Sequence, residues 1–388
     1  MSGIKRIPVD KLEIGMYITD ENYGIADASL KGKGFIRREE TLAKLKAKSI
    51  GEVLIDTSKG RDSAYALPLI IEEIELEPLV PFEEERECAG RIYSQALDMV
   101  DMLMQQVKLG KAIDVTPVED LAGDISQSLN NNKNAMLCLT QIREKGRYLM
   151  EHSLNCGILM GVFSRHLGYD SDSVNLLVTA GMLHDIGMIR IDDRLLSSPG
   201  KPNPEEWRQI HLHVQHGAEA LQNVENASEE LFSVCSQHHE RLDASGYPLG
   251  LDHRSINMYG RMAAIVDSYD AMTSNRVFQA STSPFAAMRE LSQLGDRKLD
   301  KNLVYQFIRC MGVYPVGALV ELSNGRLGVV IQTHLKKPNQ PVVRVFYNVR
   351  HKHQEKVQVV DLSSPLVEAK IVGTCSREEL GIDINDFL

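Results

Sequence analysis

Apolar residues recur every three or four positions through the middle of the chain, between about residues 91 and 310. The first such stripe consists of Ile92, Ala96, Met99, Leu103 and Val107, which lie on one face when the segment is helical. From about 120 to 310 nearly every segment has this character, because alternating β-branched runs are few. The pattern predicts a mainly α fold with an all-helical bundle. We expect the methionine-rich first stripe to face the core or a second copy in a homodimer, rather than a cofactor.

The two ends of the chain have a different pattern. Near the start, the apolar runs at 14–18 and 52–56 predict strands, and the amphipathic stretch at 38–50 predicts a short helix. After residue 310, the runs at 316–334 and 341–349 predict antiparallel strands with a turn at Asn324-Gly325. The expected order is a small α+β domain (1–65), a linker rich in Glu and Pro (66–90), a helical domain (91–310, core 125–310) and a C-terminal β appendage and tail (311–388).

Length, charge and cysteine content narrow the class of protein. A chain of 388 residues is long enough for two or three domains. The net charge of -10 argues against a general binder of nucleic-acid polymers or anionic membranes. The six cysteines are scattered without a C-x-x-C motif, which indicates reduced thiols. With no apolar run long enough for a signal peptide or a membrane span, we expect a cytoplasmic protein.

Histidine is concentrated in the helical region. Nine of the twelve histidines fall between residues 152 and 253, more than a helical core needs. The central motif is AGMLHDIGM (180–188), in which His184 and Asp185 are adjacent. Neutral imidazole suits Fe, Mn, Zn or Ni, and one carboxylate can bridge two ions. Any one such residue is more often a core or capping residue, but the set in one helical domain indicates a metal site. The further candidates are His152, His213, His238, His239 and Asp267.

Three separate motifs carry a family resemblance. HDIG (184–187), HHERLDASGYP (238–248) and DSYDAMTSNR (267–276) together resemble the HD-GYP domain, the HD-superfamily branch that hydrolyses cyclic di-GMP. The resemblance covers roughly residues 125 to 310. The N-terminal region is similar to a small domain of unknown function that often precedes such domains, and the β appendage is similar to the tails of some relatives.

The resemblance implies two metal ions and assigns their ligands. The first ion would be held by His152, His184, Asp185 and Asp267, and the second by His213, His238 and His239, with Asp185 bridging both. His211 and His216 are not excluded by sequence, but His213 has Gly217 four residues on, as the family spacing requires. Some relatives hold a third ion through an upstream Glu; Arg147 and Tyr148 occupy that stretch, so two ions are expected. Glu151 should point elsewhere on its helix.

The resemblance also indicates which residues contact substrate. Gly246, Tyr247 and Pro248 match the GYP signature, although Ala244 stands where glycine is usual. Tyr247 offers a hydroxyl and an aromatic face; whether it binds substrate or only shapes the pocket wall is left open. Arg276 matches the phosphate-binding arginine of the family.

Two positions depart from the family pattern. Met188 replaces a lysine that would reach the substrate phosphate, and Gln279 replaces a second basic residue. Neither side chain supplies the missing positive charge. Arg190 is close in sequence, but nothing in the sequence shows that it points into the site.

These features imply a phosphodiesterase that uses two divalent ions, iron or manganese, with His184 and Asp185 at the catalytic centre. A hydroxide held between the ions would attack phosphorus, giving linear pGpG; a second cleavage to GMP is left open. The alternative is a catalytically weak receptor that keeps the metal site, binds cyclic di-GMP and signals to a protein partner. A mononucleotide phosphohydrolase is less consistent with the His238-His239 doublet and the GYP loop.

Overall fold

The computed structural model describes residues 4–19, 34–47, 52–68, 78–142, 147–197, 200–222, 224, 227–274, 281–295, 297–375 and 387–388. Within these ranges the chain forms eleven helices and two five-stranded antiparallel sheets. The sheets lie near the two ends of the sequence and the helices between them. The predicted mainly α fold class, with β structure at both ends, is therefore confirmed.

The N-terminal unit is a small sheet with one short helix. Its elements are β1 (Ile4–Pro8), β2 (Tyr17–Ile18), β3 (Gly34–Phe35), α1 (Glu39–Lys46), β4 (Glu52–Asp56) and β5 (Leu67–Pro68). The strand order is β3-β2-β4-β1-β5, and Ile7 pairs with Val53 across the two central strands. Alternate residues such as Ile7 and Ile55 face a separate apolar core that contains Leu12 and Met16. The α+β character expected here is thus present, although β2 is shorter than the predicted run.

The helical unit follows. Its helices are α2 (Phe82–Lys108), α3 (Thr116–Leu139), α4 (Tyr148–His166), α5 (Ser171–Leu183), α6 (Asp193–Ser197), α7 (Pro204–Leu221), α8 (Glu229–Gln237), α9 (Met258–Thr273), α10 (Pro284–Leu294) and α11 (Lys301–Met311), with a 3₁₀ turn at Ile186–Arg190. Polar side chains cap several of their N-termini. Asn203 and Glu206 form a reciprocal capping box at α7, and the Asn257 side chain accepts the Gly260 amide at α9. These caps fix where the helices that carry the site begin.

Helix α2 begins earlier than the sequence pattern indicates. The residues expected to be a linker, 66–90, contain β5 and the first nine residues of α2. Glutamates that suggested a linker lie in the first turn of α2, where negative charge favours a helix N-terminus. Glu85 is also buried and accepts hydrogen bonds from Ser128 and Asn131 on α3. In the methionine-rich stripe, Ala96, Leu103 and Val107 lie in the core.

The C-terminal sheet packs directly on the helices. Its strands are β6 (Leu319–Leu322), β7 (Arg326–Gln332), β8 (Val342–Asn348), β9 (His353–Asp361) and β10 (Ile371–Cys375), in the order β10-β6-β7-β8-β9. The predicted turn joins β6 to β7, and Gly325 has the positive φ of 78° that favours glycine there. Along β7, Val329 and Ile331 belong to the helical core, whereas Val330 faces a second small core. One face of this sheet is therefore part of the core that supports the site.

The N-terminal unit contacts the helical unit near the start of α9. The Met258 amide donates to the Ala64 carbonyl at 3.1 Å, and the Lys11 ammonium donates to the Arg254 carbonyl. No helix in the described part of the chain is long and apolar enough to cross a bilayer. All six cysteines lie within the described ranges, and none forms a disulfide.

Candidate metal centre

All seven predicted ligands converge at one place inside the helical unit. They come from the first turns of α4, the end of α5, the middle of α7, the end of α8 and the middle of α9. These ligands are His152, His184, Asp185, His213, His238, His239 and Asp267. All are buried except His239, which is partly exposed. Residues separated by more than a hundred positions in sequence therefore meet in one polar cluster within an apolar core.

Close helix contacts at glycine bring these side chains together. A Cβ on Gly181 of α5 would lie 2.7 Å from the Cα of Gly157 on α4, so the two backbones touch. This contact places the rings of His152 and His184 with their centroids 5.2 Å apart. A Cβ on Gly187 would lie 2.1 Å from the His213 carbonyl oxygen, so α7 packs directly against the turn that follows Asp185. The glycine of HDIG thus determines where His213 lies.

The Asp185 carboxylate lies between two groups of histidines. Its Oδ2 is 3.6 Å from Nε2 of both His152 and His184. Its Oδ1 is 3.2 Å from Nε2 of His213 and 3.4 Å from Nε2 of His238. Each oxygen therefore faces a different group, an arrangement that a carboxylate bridging two ions requires.

Asp267 also spans the two groups. Its Oδ1 is 3.2 Å from His152 Nε2, and its Oδ2 is 3.5 Å from His239 Nδ1. The sequence assigned this carboxylate to the first ion alone. In the structure, both acidic residues lie between the two sets of imidazoles, which concentrates negative charge where cations would bind.

Backbone carbonyls determine which nitrogen of each ring faces the centre. The Nδ1 atoms of His184, His213 and His238 lie 2.7–2.8 Å from the carbonyl oxygens of Gly181, Ile210 and Cys235, one turn earlier in each segment. We therefore assign a proton to Nδ1, which leaves an unshared pair on Nε2. In all three rings this Nε2 points toward Asp185. The tautomer that binds a metal through Nε2 is thus already selected.

His152 is oriented by a carboxylate instead. Its Nδ1 lies 2.8 Å from Oδ2 of Asp270, and the Ser274 hydroxyl donates to the same carboxylate at 3.1 Å. Sequence reasoning gave Asp270 no role. Asp270 could have been found from its position three residues after Asp267, because this spacing puts both carboxylates on the same side of α9.

The donor set fits divalent cations. His213 Nε2 and His238 Nε2 lie 3.5 Å apart, and both face Asp185 Oδ1, so three electron-pair donors converge without protons between them. Among the described residues, Asp185 Oδ1 and His184 Nε2 are buried without a hydrogen-bond partner. Buried polar atoms of this kind are costly unless a ligand satisfies them. A cation on each side of Asp185 would do so.

At His184 and Asp185 the electrostatics favour the protonation states that bind a metal, whereas the nearby carboxylates Asp267 and Asp185 raise the pKa values of His152 and His213. Burial, with His238 and His152 nearby, lowers the pKa of His184 to about 4, so this imidazole is neutral near pH 7. Burial opposes charge on Asp185 as well, but His184 and His213 hold the pKa of its carboxyl well below the usual value. The centre therefore offers an unprotonated imidazole beside an ionised carboxylate.

The other histidines of α7 lie outside both groups. His211 stacks on Tyr247, with ring centroids 3.6 Å apart, and His216 Nδ1 lies 3.8 Å from Glu219. Within the described part of the chain, neither belongs to a cluster of metal-type ligands, and nor does Glu151.

Tyr148 stacks on His152 at a centroid distance of 5.6 Å. The Cys156 thiol is 3.9 Å from His152, and burial raises its pKa to about 12.

The GYP loop is fastened to the end of α8. The Glu240 carboxylate accepts the amides of Leu249 and Leu251, each at 2.8 Å. Sequence reasoning gave Glu240 no role. The only indication of one in the sequence was its position directly after His238 and His239. A Cβ on Gly246 would lie 2.5 Å from the Glu240 Cα, which explains glycine there. Ala244 has a φ of 60°, a left-handed conformation that is strained for alanine and favours glycine.

Of the two positions that depart from the family pattern, the structure describes Met188 but not Gln279. Met188 is half-buried in the turn after Asp185, and its amide donates to the Asp185 carbonyl at 2.8 Å. Arg190 lies 3.4 Å from both the Val107 carbonyl and the Glu219 carboxylate, so its guanidinium is directed toward α2 and α7. Arg276 and Gln279 lie outside the described residues.

Comparison with known proteins identifies related chains. A family profile described as an HD domain matches residues 125–303, one for a domain of unknown function (DUF3391) matches 4–118, and a KOW domain associated with HD domain matches 319–381. The chain is 34% identical over 380 residues to a cyclic di-GMP phosphodiesterase, PA4108, of Pseudomonas aeruginosa, covering 95% of this chain and 92% of the relative. This chain belongs to the HD-GYP family.

Other relatives match the chain over shorter lengths. A cyclic di-GMP phosphodiesterase of Thermotoga maritima is 31% identical over 195 residues, half of each chain. The 3'3'-cGAMP-specific phosphodiesterase 1 of Vibrio cholerae is 34% identical over 152 residues, 38% of this chain and 34% of the relative. The names of these two relatives specify different cyclic dinucleotides.

Proposed function

We propose that this chain is a metal-dependent phosphodiesterase that hydrolyses cyclic di-GMP to linear pGpG. The placement of Asp185 carries the proposal, because each of its carboxylate oxygens faces a separate pair of histidines. The name of the relative that matches 95% of the chain supports the choice of substrate. The whole ligand set, rather than a part of it, is present.

The proposed ligands form two groups. His152, His184 and Asp267 would hold one ion, His213, His238 and His239 would hold the other, and Asp185, whose oxygens face both groups, would serve both. Mixed imidazole and carboxylate ligands suit iron or manganese, which we propose as the two ions. When bound, such ions supply Lewis-acid chemistry that activates water and neutralises charge on phosphoryl oxygens.

The protein's own contribution is to hold these groups in position. The Nδ1 hydrogen bonds of His184, His213 and His238 fix three rings before substrate arrives, so little reorganisation accompanies binding. The surrounding apolar core excludes bulk water and strengthens electrostatic interactions within the site. We assign Arg276 to a bidentate contact with a substrate phosphate. We assign the half-buried Tyr247 of the GYP loop to the substrate side of the site.

A second candidate function is a cyclic di-GMP receptor with little turnover that signals to a protein partner. It is favoured by Met188, which stands where the family usually has a lysine, and by Gln279, which replaces a second basic residue. Both candidates require the metal site and the dinucleotide, so binding alone does not separate them.

Turnover by the full chain separates the two functions. The protein is purified anaerobically, loaded with iron or manganese, and mixed with cyclic di-GMP, and products are resolved by chromatography. We expect pGpG to form, and an Asp185→Asn variant to form none. GMP would indicate a second cleavage. Binding of cyclic di-GMP without any product, in both metal forms, would establish the receptor. Parallel assays with 3'3'-cGAMP test which cyclic dinucleotide is preferred.

A further inference from the structure

Four aromatic rings form a continuous row that runs outward from the metal centre, which we call the aromatic ladder. It consists of His239, Tyr247, His211 and Trp207. Successive ring centroids are separated by 4.5 Å, 3.6 Å and 5.5 Å. His239 is one of the proposed metal ligands, so the inner end of the ladder is part of the centre. Trp207 and His211 are four residues apart on α7 and therefore lie on the same side of that helix.

Both faces of Tyr247 are covered within this ladder. His211 lies nearly parallel to the tyrosine, with an interplanar angle of 10°, and His239 is tilted by 31°. Two imidazoles within 4.5 Å of the same ring centroid would overlap if they were on one face, so they lie on opposite faces. Tyr247 therefore has no open face on which a nucleobase could stack. The face-stacking role that the GYP signature suggests has to be carried by another ring.

The outer end of the ladder is open to solvent. Trp207 is 38% exposed, although Ile210 and Val214, which lie on nearly the same side of α7, are buried. Leu249, two residues beyond Tyr247 in the GYP loop, is 74% exposed. Exposed apolar surface beside a polar metal centre is typical of a site that binds a planar, partly apolar ligand.

We propose that Trp207 is the stacking surface for one guanine base of the substrate, supported from behind by His211. The proposal rests on the proposed function, because it assumes that the substrate phosphates bind at the metal centre. A cyclic dinucleotide has two planar bases outside its phosphate ring, and the ladder leads from a metal ligand to an exposed indole. Stacking accepts any base, because every base has a flat π face, but it requires a flat aromatic partner. Trp207 would therefore contribute to substrate binding, and it would not contact the phosphorus atom that reacts.

The chain contains one tryptophan, so its fluorescence reports on this position alone. In stopped-flow mixing of the manganese-loaded full chain with cyclic di-GMP, we expect quenching of the Trp207 emission before product forms. Inorganic phosphate, which lacks a base, should bind the centre without quenching. Binding of cyclic di-GMP detected by calorimetry with no change in emission would overturn the proposal.

Substitution provides the second test. Loss of one base-stacking partner typically weakens binding by about 5- to 100-fold. We therefore expect Trp207→Leu to raise KM for cyclic di-GMP within this range with kcat changed less than about threefold. Trp207→Phe should recover most of the loss, because it restores a flat ring. Tyr305→Leu, which removes an exposed aromatic residue of α11, is the matched control and should change neither constant.

The remaining readouts separate stacking from a structural role. Metal content and the inhibition constant of inorganic phosphate should be the same in Trp207→Leu as in the wild type. A loss of metal, or a phosphate constant that shifts together with KM, would mean that Trp207 only supports the fold, and the proposal would be wrong. An unchanged KM would overturn it while leaving the phosphodiesterase function intact. Absence of both turnover and binding of cyclic di-GMP would instead refute the proposed function, and this inference with it.

Discussion

At the scale of single residues, the position after HDIG is where this chain lacks the positive charge that the family resemblance leads us to expect. Met188 lies in the turn that begins at Asp185, at the place where the family carries a lysine. A thioether cannot stabilise charge that develops on the phosphate, and it cannot protonate a leaving oxygen. Arg190 does not replace the missing cation, because it is directed toward Glu219 and the Val107 carbonyl.

We expect Met188→Lys to raise the single-turnover rate of cyclic di-GMP hydrolysis several-fold, and up to about a hundredfold. Methionine and lysine have similar length, and Met188 is half-buried, so the site should accept the longer polar end. Binding should change less than the rate, since in our proposal the ions and Arg276 would hold the phosphates in both proteins. Met188→Leu is the uncharged control and should not accelerate. A wild type that is already fast and gains nothing from lysine would show that another group supplies the charge.

Replacement of Asp185 and replacement of His239 should have different effects on the metal content of the protein. Asp185→Ala removes the carboxylate that faces both groups, so we expect nearly all metal to be lost. His239→Ala removes a ligand from one side only and should leave about one ion per chain. Elemental analysis of anaerobically purified variants measures this directly. Equal metal content in the two variants would contradict the bridging role of Asp185.

At the scale of elements, the site depends on how closely the helices approach. The Gly187 turn and α7 touch through backbone atoms, and this contact determines where His213 lies. The HDIG glycine is therefore a packing residue rather than only a flexible one. Gly157 and Gly181 have the same role for His152 and His184.

Gly187→Ala should accordingly displace α7 from the metal centre. The added Cβ would lie 2.1 Å from the His213 carbonyl, and relief requires movement of backbone. We expect loss of the ion held by His213, His238 and His239, and destabilisation of about 2 kcal/mol, as for other overpacked cores. Gly123→Ala is the control, because nothing lies within 4 Å of its added Cβ. Full metal content in Gly187→Ala would show that α7 can move without disturbing its ligand.

The sequence predicted the helices better than the contacts that orient the candidate ligands. His152, His184 and Asp267 could be named as candidates because residue type is a local property, and the family resemblance assigned them as ligands and favoured His213 over its neighbours. The roles of Asp270 and Glu240 could not be assigned in this way, because they depend on which side chain or loop the fold brings opposite these residues. The start of α2 was missed for a related reason: the glutamates near residue 85 resemble a linker until their partners on α3 are known.

At the scale of the whole molecule, the metal ions would link five segments that are far apart in sequence. Five separate segments bring electron-pair donors to one centre, and two of these nitrogens lie only 3.5 Å apart. Ions bound to the folded state alone should therefore stabilise the chain, by about 3 kcal/mol when free metal is a hundred times its Kd.

We expect anaerobically purified protein to contain about two ions per chain and to lose thermal stability when they are removed. A chelator should lower Tm in a thermal melt, and manganese should restore it. Asp185→Ala, which cannot hold the ions, serves as the control and should melt at one temperature with or without chelator. A reproducible content near three ions would count against the two-ion assignment.

The C-terminal sheet has a consequence for how the chain is synthesised. The Cys138 thiol on α3 donates to the Ile331 carbonyl at 3.7 Å, and the Thr333 amide donates to the Asn134 side chain at 3.3 Å. These partners are separated by almost two hundred positions, and Phe346 on β8 belongs to the same core. On the ribosome, all the metal ligands emerge before the strands that complete this core. The nascent helical region therefore keeps part of its apolar surface uncovered until β6, β7 and β8 (319–348) have been translated.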